Sequence, residues 1–318
     1  MVRLERQRVV SGGVSCELTW NTRDFDKQAH ILVVGVAPRW LAPKAIAARD
    51  RLHAALQEFY VARLDKHPSV SVYVQKRAAA KRQLGVKDED LAGCEFDIPW
   101  TAVTNTVPSM IWFFQHVFSR SDYVERVRAE VLEVTTIHGN KATIDATKLD
   151  KKPFISACFQ EILRLYTSAW GNRRVMEDTT LRDVDGREYL LKKDTNVQWF
   201  NGIPHLHEAV WGDDSHTFNP ERFINVPAHE EKKRRGALIP FGGGKHLCPG
   251  RLFAMTETIS MVGALALAFD IEGAKVPTAG TPYAANTVRR PLWGPGEPGR
   301  VSVKRRKGWE EVELSFVV

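Results

Sequence analysis

The segment FGGGKHLCPGRLFA, residues 241–254, carries the strongest indication of the fold in this sequence. Its three successive glycines let the backbone approach another group closely. Cys248 follows them, and Pro249 suits the first position of a helix. A cysteine at a helix start lies where unpaired backbone N–H groups and the positive helix end stabilise a thiolate. We therefore expect Cys248 to act as a nucleophile or as a metal ligand.

Four kinds of site compete for this segment. A phosphate-binding loop needs Gly five residues before the Gly-Lys pair and Ser or Thr directly after it. This sequence has Ile239 and His246 at those two positions, which excludes such a loop. A plain buried cysteine would not explain three glycines followed by a capping proline. A zinc site that used His246 or His205 would lack the usual ligand spacing. A flat cofactor lying against the glycines, with an iron bound by the sulfur, fits best.

The composition is that of a globular protein: 318 residues, 43% hydrophobic and 26% charged, with a formal net charge of +7. Four cysteines without a CxxC pair argue against a disulfide scaffold and fit a reducing compartment. Basic runs at 232–235 and 304–307 contain no aromatic residues, so we expect no nucleic-acid partner. These runs are solvated surface, or they meet an anionic membrane or an acidic protein.

The hydrophobic pattern predicts a mainly α-helical protein with small β-sheets, as a single domain over residues 1–318. A long apolar stretch at 88–118, with Pro99 and Pro108 inside it, predicts a buried and kinked helix. Pro153 begins another helix, over 153–167. The cysteine loop and its following helix take up 241–268. Further helices are expected at 41–64, 70–84 and 121–134, and strands at 180–184, 187–191, 196–200, 301–305 and 312–316.

The cysteine segment resembles the haem-binding loop of the cytochrome P450 superfamily. That pattern is Phe, two residues, Gly, three residues, Cys, one residue, Gly, and it is met from Phe241 to Gly250. Two further family motifs stand upstream in the same order, Glu-x-x-Arg at 161–164 and Pro-Glu-Arg-Phe at 220–223. The resemblance implies a cytochrome P450 fold that lacks its N-terminal part, and it implies haem b as the cofactor.

Glu161 and Arg164 share one helix face because they are three residues apart. Arg222, from the second motif, is able to join them as a bidentate partner. We expect a carboxylate between two guanidinium groups, which clamps the loop that carries the thiolate. The resemblance gives these three residues a structural role and not a chemical one.

The resemblance also assigns the contacts to haem. Cys248 is the axial ligand of the haem iron, in a loop where Phe241, Gly242 and Gly250 contact the cofactor. Arg173 and His246 hold positions whose side chains meet the haem propionates in the family, and the neighbouring Arg174 is a poorer substitute for Arg173.

The helix at 88–118 corresponds to the family's helix over the haem, where most members have an acid followed by threonine. Here Thr104 takes the position of the acid and Asn105 that of the threonine. With Val107-Pro108, this is similar to the branch that holds sterol 7α- and 12α-hydroxylases and prostacyclin synthase. We expect Thr104 and Asn105 to position dioxygen and water. In the alternative reading, Asn105 only satisfies kinked backbone near Pro108.

Five residues are expected to line the substrate pocket by their places in the long helix and after Arg164: Trp100, Val103, Ser168, Ala169 and Trp170. The sequence around residues 211–214 and 249–251 resembles that of fungal members of the family. Family chains carry a membrane anchor and a Trp-x-x-x-Arg helix before the matching region, and Trp20 and Trp40 begin no such motif. We therefore expect an N-terminally truncated member.

The resemblance implies a monooxygenase that hydroxylates a sterol, terpenoid or fatty acyl compound, with electrons from an NADPH-dependent flavoprotein reductase. An isomerase or dehydratase on the same haem, needing no reductase, is one alternative. A truncated remnant without activity is another. Full-length relatives belong to the endoplasmic reticulum membrane, whereas this sequence has no anchor and is expected to be cytoplasmic.

Overall fold

The computed structural model describes residues 22, 24–26, 28–34, 38–279, 288–292 and 299–317, apart from the side chain of Val103 and a few others in its first helices. The chain divides into two compact units, residues 1–107 and residues 108–318. The single domain expected from the sequence stays a prediction, and each unit is described by itself.

The first unit is helical throughout its described part. Its main helix follows Ala42 and begins with Pro43, whose fixed φ and missing N–H suit a first turn. This helix buries Ala45, Ala48, Leu52, Phe59 and Tyr60 along one face. The helices are α1 Ala29–Val34, α2 Pro38–Leu41, α3 Pro43–Val61, α4 Val72–Gln83, α5 Asp88–Glu95 and α6 Asp97–Thr101.

The stretch 88–118 is helical along nearly its whole length but is not one regular helix. After α5 and α6 the turns widen to π-helical geometry over Ala102–Thr106, and α7 covers Val107–Phe118. Pro108 lacks the N–H that an α-helix would pair with the carbonyl of Thr104. The wider turns come directly before this proline, which is a recognised cause of a local distortion. The expected kink therefore takes the form of a π-helical segment.

The second unit has its core among four helices, α7, α8 Ser121–Glu133, α10 Pro153–Tyr166 and α14 Arg251–Ala268. Trp112 and Phe113 from α7, Ile155 and Ile162 from α10, and Ile259 from α14 are fully or almost fully buried in one apolar cluster. Glu130 accepts hydrogen bonds from the backbone N–H groups of residues 154 and 155, both at 2.8 Å, at the start of α10. The helices are α8 Ser121–Glu133, α9 Ala146–Leu149, α10 Pro153–Tyr166, α11 Gly202–Leu206, α12 Glu208–Trp211, α13 Ala228–Ala237 and α14 Arg251–Ala268.

The helix after the cysteine begins two residues later than the sequence predicted. Pro249 and Gly250 form a turn, and the first helical hydrogen bond runs from Ala254 N to Gly250 O at 2.9 Å. Gly250 is therefore the N-cap, and Arg251 is the first residue of α14. By length and composition α14 is apolar enough to cross a membrane, but half of it is buried inside the protein, as in many core helices.

Small, separate sheets complete the second unit, so a mainly α fold with small sheets is confirmed. The expected strands at 180–184, 187–191, 196–200, 301–305 and 312–316 are all present, the one at 196–200 with the expected bounds and the others with shifted ends. A hairpin over 135–145, turning at Gly139 with φ +59°, was not expected. The sheets are β1-β2-β11, β3-β6, β4-β5, β7-β10 and β8-β9. Their strands are Thr135–His138, Lys141–Asp145, Trp170–Arg174, Thr179–Arg182, Glu188–Leu191, Asn196–Phe200, Phe269–Glu272, Thr278–Ala279, Pro291–Leu292, Ser302–Arg305 and Glu313–Val317, numbered β1 to β11 in that order.

Candidate functional site

The segment from Phe241 to Cys248 forms a closed loop. The backbone N–H of Cys248 donates to the carbonyl of Phe241 at 3.0 Å. Gly242 has φ +75° and Gly244 has φ +62°, values that other residues adopt only with strain. The glycines are therefore required by the turn that brings the chain back to Phe241, whose ring packs against the core of the second unit.

The surface of this loop is open and partly apolar. A Cβ atom built on Gly243 or Gly244 would meet nothing within 4 Å. The side chain of Cys248 is half-buried, and a Cβ on Gly250 would lie 3.9 Å from its sulfur. Exposed apolar side chains stand beside it in the sequence, with Leu247 at 39% exposure and Phe253 at 69%. An accessible sulfur, open glycine backbone and exposed apolar groups fit a flat hydrophobic cofactor bound through sulfur.

The two neighbouring arginines of β3 have different partners. Arg174 makes an ion pair with Asp194 at 2.7 Å. The guanidinium of Arg173 lies over the ring of Trp199, 5.2 Å from its centre, and donates to the carbonyl of Asn172 at 2.7 Å. Arg173 has no carboxylate partner among the residues that the structure describes, so its charge is available to an anion. His246 is exposed, in a short turn within the cysteine loop.

The structure brings Glu161, Arg164 and Arg222 together in a buried cluster. Glu161 and Arg164 are fully buried, and Arg222 is 7% exposed. Arg164 donates to both carboxylate oxygens of Glu161, at 2.6 and 2.7 Å, and Arg222 Nε lies 3.3 Å from one of them. The backbone N–H of Asn219 donates to the same carboxylate at 2.9 Å. One carboxylate is thus shared by two guanidinium groups and a loop amide, and this set of residues is called the clamp below.

The two arginines of the clamp also bind backbone carbonyls of the loop between α11 and residue 223. Arg164 Nη1 donates to the carbonyls of His205 and Ser215, at 2.9 and 2.5 Å. Arg222 donates to the carbonyl of Trp211 and to both the carbonyl and the carboxylate of Asp214. The hydrogen bond from Arg222 holds the pKa of Asp214 below its usual value. The clamp therefore fixes the backbone of this segment through hydrogen bonds to its carbonyl groups.

One residue of the basic run 232–235 belongs to this cluster. Arg234 donates to the carbonyl of Arg222 at 2.5 Å, and its guanidinium lies 5.9 Å from the ring centre of Trp211. Arg164 lies 5.1 Å from the centre of the same ring. A run of four basic residues gave no sign in the sequence that its third member points inward. The run is therefore not a uniform solvated surface.

His205 is a buried residue that the sequence did not single out as part of the site. It is 0% exposed, its Nδ1 lies 3.2 Å from the carbonyl oxygen of Thr167, and its Nε2 accepts the N–H of Ile239 at 3.0 Å. Burial is the main cause that lowers the pKa of His205 to about 4, with a smaller contribution from Arg164. A neutral histidine therefore joins the end of α10 to the chain entering the cysteine loop.

Thr104 and Asn105 lie in the π-helical segment of the first unit. The hydroxyl of Thr104 donates to the carbonyl of Trp100 at 2.9 Å, and Asn105 is half-buried. The indole of Trp100 donates to Asp26 at 3.1 Å. The expected roles of these residues toward dioxygen and substrate stay predictions, and the side chain of Val103 lies outside the described residues.

The three expected pocket residues after α10 differ in exposure. Ser168 is 3% exposed, and its hydroxyl has no hydrogen-bond partner among the described residues. A buried hydroxyl without a partner is uncommon in proteins and suits a site that a ligand completes. Ala169 is half-buried, and Trp170 is 59% exposed beside Phe200, with ring centres 5.0 Å apart.

Comparison with known proteins gives the same family throughout. A family model described as Cytochrome P450 matches residues 34–282. A cytochrome P450 monooxygenase of Gibberella zeae is 34% identical over 282 residues, which cover 85% of this chain and 54% of that protein. A cytochrome P450 monooxygenase of Hypoxylon pulicicidum is 26% identical over 93% of this chain and 59% of its own length. Cholesterol 7-alpha-monooxygenase of Cricetulus griseus is 26% identical over 79% of this chain and 51% of its own length. The chain spans about half the length of the curated relatives it matches.

Proposed function

The chain belongs to the cytochrome P450 family, and from that membership we propose that it is the haem-binding part of a monooxygenase that hydroxylates an apolar compound. The observation that carries the proposal is the closed glycine loop that presents the half-buried sulfur of Cys248. Few other uses of a lone cysteine need left-handed backbone at two positions before it.

Haem b would be held by this chain's own residues at the cysteine loop. Cys248 would bind the iron through its sulfur, and Phe241, Gly242 and Gly250 would contact the ring. Arg173 and His246 would meet the propionates, and that role of Arg173 is supported because no carboxylate pairs with it in the described part of the chain. When bound through a thiolate, haem supplies the activation of dioxygen that the family uses.

The other residues of the chain shape and protect this site. The clamp of Glu161, Arg164 and Arg222 holds the loop before the cysteine segment in place through hydrogen bonds to backbone carbonyls. Thr104 and Asn105 hold the water that delivers a proton to the oxygen side of the site. Asn105 performs this by donating and accepting hydrogen bonds, because an amide does not release a proton as an acid does.

The proposed substrate is a sterol, terpenoid or fatty acyl compound. Support comes from the similarity to cholesterol 7-alpha-monooxygenase, whose name gives a sterol as its substrate. The proposed pocket lining, Trp100, Val103, Ser168, Ala169 and Trp170, is mainly apolar. Ser168 offers one buried hydroxyl that has no hydrogen-bond partner among the residues placed by the structure, which suits a substrate with a single polar group.

We propose that electrons come from NADPH through a flavoprotein reductase. A form of this protein as long as its relatives would meet the reductase at the membrane of the endoplasmic reticulum. The basic surface available for docking is smaller than the sequence indicated. In the run 232–235, Arg234 points into the clamp and Arg235 pairs with Glu231. The ammonium of Lys233 donates to the carbonyl of Ala209, which leaves Lys232 as the main contact for an acidic partner.

The proposal is tested by loading the purified protein with haem and recording the spectrum of its ferrous carbon monoxide complex. The parent should show the strongly red-shifted band of a thiolate-bound iron, and Cys248→Ser should lose it. Cys94→Ser is the matched control, because Cys94 is exposed and far along the chain from the loop. A thiolate band that persists in Cys248→Ser would overturn the assignment.

Consumption of NADPH separates this activity from the isomerase alternative. A monooxygenase forms product only with the reductase and in proportion to the NADPH used. Product formed from a peroxidised substrate without NADPH would favour the isomerase.

A further inference from the structure

His205 is bonded on both sides of its ring by groups whose roles are fixed. The carbonyl of Thr167 only accepts, so Nδ1 must carry the hydrogen of that 3.2 Å contact. The N–H of Ile239 only donates, so Nε2 must offer its lone pair at 3.0 Å. The neutral Nδ1–H tautomer alone satisfies both, and the complete burial of the ring favours the neutral form.

Ile239 stands two residues before Phe241 and is fastened on both of its backbone groups. Its N–H bonds to His205, and its carbonyl accepts from Asn201 Nδ2 at 2.8 Å and from the N–H of Gly242 at 3.1 Å. The cysteine loop begins from this anchored residue and closes when Cys248 bonds back to Phe241. The position of Ile239 therefore sets where the loop starts.

His205 is also tied to the clamp through its own backbone. Its carbonyl accepts from Arg164 at 2.9 Å, and Thr167 directly follows α10, the helix that carries Glu161 and Arg164. A short path of hydrogen bonds thus joins the clamp to the cysteine loop, and the imidazole of His205 forms the step from α10 to Ile239.

We propose that His205 is a positioning residue: by accepting the N–H of Ile239 it fixes where the cysteine loop begins. It thereby places the sulfur of Cys248 where it binds the haem iron. The consequence for the ligand rests on the proposed function. The anchoring of Ile239 does not, because it is a property of the protein without cofactor.

Two substitutions separate the two bonds of the ring. In His205→Gln the side-chain amide reaches the place of Nε2, so its oxygen accepts the N–H of Ile239 and the hydrogen bond to the carbonyl of Thr167 is lost. In His205→Asn the amide reaches the place of Nδ1, so it donates to Thr167 and leaves the N–H of Ile239 without an acceptor. Each variant loses one buried hydrogen bond, so a merely structural role predicts similar behaviour for both.

The first measurement is hydrogen exchange of peptides covering 238–248 in the protein without haem. His205→Asn should exchange about 10-fold faster than the parent or more, since an orphaned buried N–H is costly, and His205→Gln should stay close to the parent. The second is the carbon monoxide spectrum after haem loading, in which His205→Asn should lose more of the thiolate band than His205→Gln. Equal behaviour of the two variants in hydrogen exchange would overturn the proposal.

Failure of the proposed function gives a different result. If the parent shows no thiolate band, the haem assignment falls while hydrogen exchange still decides the role of His205. If neither variant folds, the parent decides by ¹⁵N NMR of labelled histidine. The proposal requires an unprotonated Nε2 for His205 at neutral pH, and a hydrogen on Nε2 would overturn it.

Discussion

Replacing Glu161 by alanine removes the carboxylate on which the clamp is built. The change deletes two bonds from Arg164, one from Arg222 and one from the N–H of Asn219. Both guanidinium groups then remain buried without their shared counter-charge, which costs about 3–5 kcal/mol in comparable pairs. A domain of this size loses about 2 °C of melting temperature per kcal/mol, so the melting temperature should fall by roughly 6–10 °C.

The assay is thermal unfolding followed by circular dichroism, on protein with and without haem. The matched control is Glu188→Ala, which breaks an ion pair with Arg182 whose side chains are 55% and 68% exposed. Exposed pairs contribute under about 1 kcal/mol, so the control should shift the melting temperature by about 2 °C or less. Equal shifts for Glu161→Ala and Glu188→Ala would refute the reasoning that the buried carboxylate holds the site together.

Three further outcomes are expected. Burial lowers the pKa of His116 to about 3 and that of His205 to about 4, so the unfolded chain binds more protons than the folded protein below pH 6.5 and the stability falls as the pH drops. Between pH 7 and pH 5, each histidine should lower the free energy of unfolding in urea by about 2 kcal/mol, and His205→Gln should remove the part that His205 contributes. An equal loss of stability in parent and variant would contradict the burial argument. Arg173→Gln should speed haem transfer to apomyoglobin about 10–100-fold, while Arg174→Gln, already paired with Asp194, should not, and equal rates would argue against a propionate contact. Asn105→Ala should keep substrate binding and divert NADPH into peroxide, with product formation reduced by roughly 10²–10⁴ and partly restored in Asn105→Thr; unchanged product per NADPH would exclude its role in proton delivery.

The local parts of the site could be predicted because short-range spacing decides them. Glu161 and Arg164 share a helix face by their separation of three residues, and the structure places them in contact at 2.6 Å. The left-handed turn before Cys248 needs glycine, so its position is visible in the sequence. Helices with a clear apolar face, such as α3 and α10, begin within two residues of their expected starts.

The long-range parts could not be predicted because no local signal marks them. Arg234 and Arg235 are adjacent residues of one basic run, yet the first enters the clamp and the second pairs with Glu231 at the surface. His205 joins Thr167 to Ile239, which are 38 and 34 residues away. Such bonds depend on where the chain returns, which spacing within one helix does not determine.

The two arginines of β3 show an intermediate case. Successive side chains of a strand point to opposite faces, so Arg173 and Arg174 had to differ. Arg174 is the one that is neutralised, because it pairs with Asp194, which lies in the turn before β6 with φ +67°. The pattern did not predict the strand β3, so this alternation was not foreseen, whereas the family resemblance had already favoured Arg173 over Arg174 for a haem propionate.

The sheet β1-β2-β11 has a consequence for how the chain is made. β11 pairs in parallel with β2, and the hydroxyls of Thr143 and Ser315, 172 residues apart, meet at 2.8 Å across the two strands. At a synthesis rate of about 5–20 residues per second, the partner of β2 emerges roughly 10–30 s after β2 itself. During that interval β2 is an unprotected sheet edge, able to pair with other nascent chains. β2 therefore gains its second neighbour in the sheet only after β11 has been made.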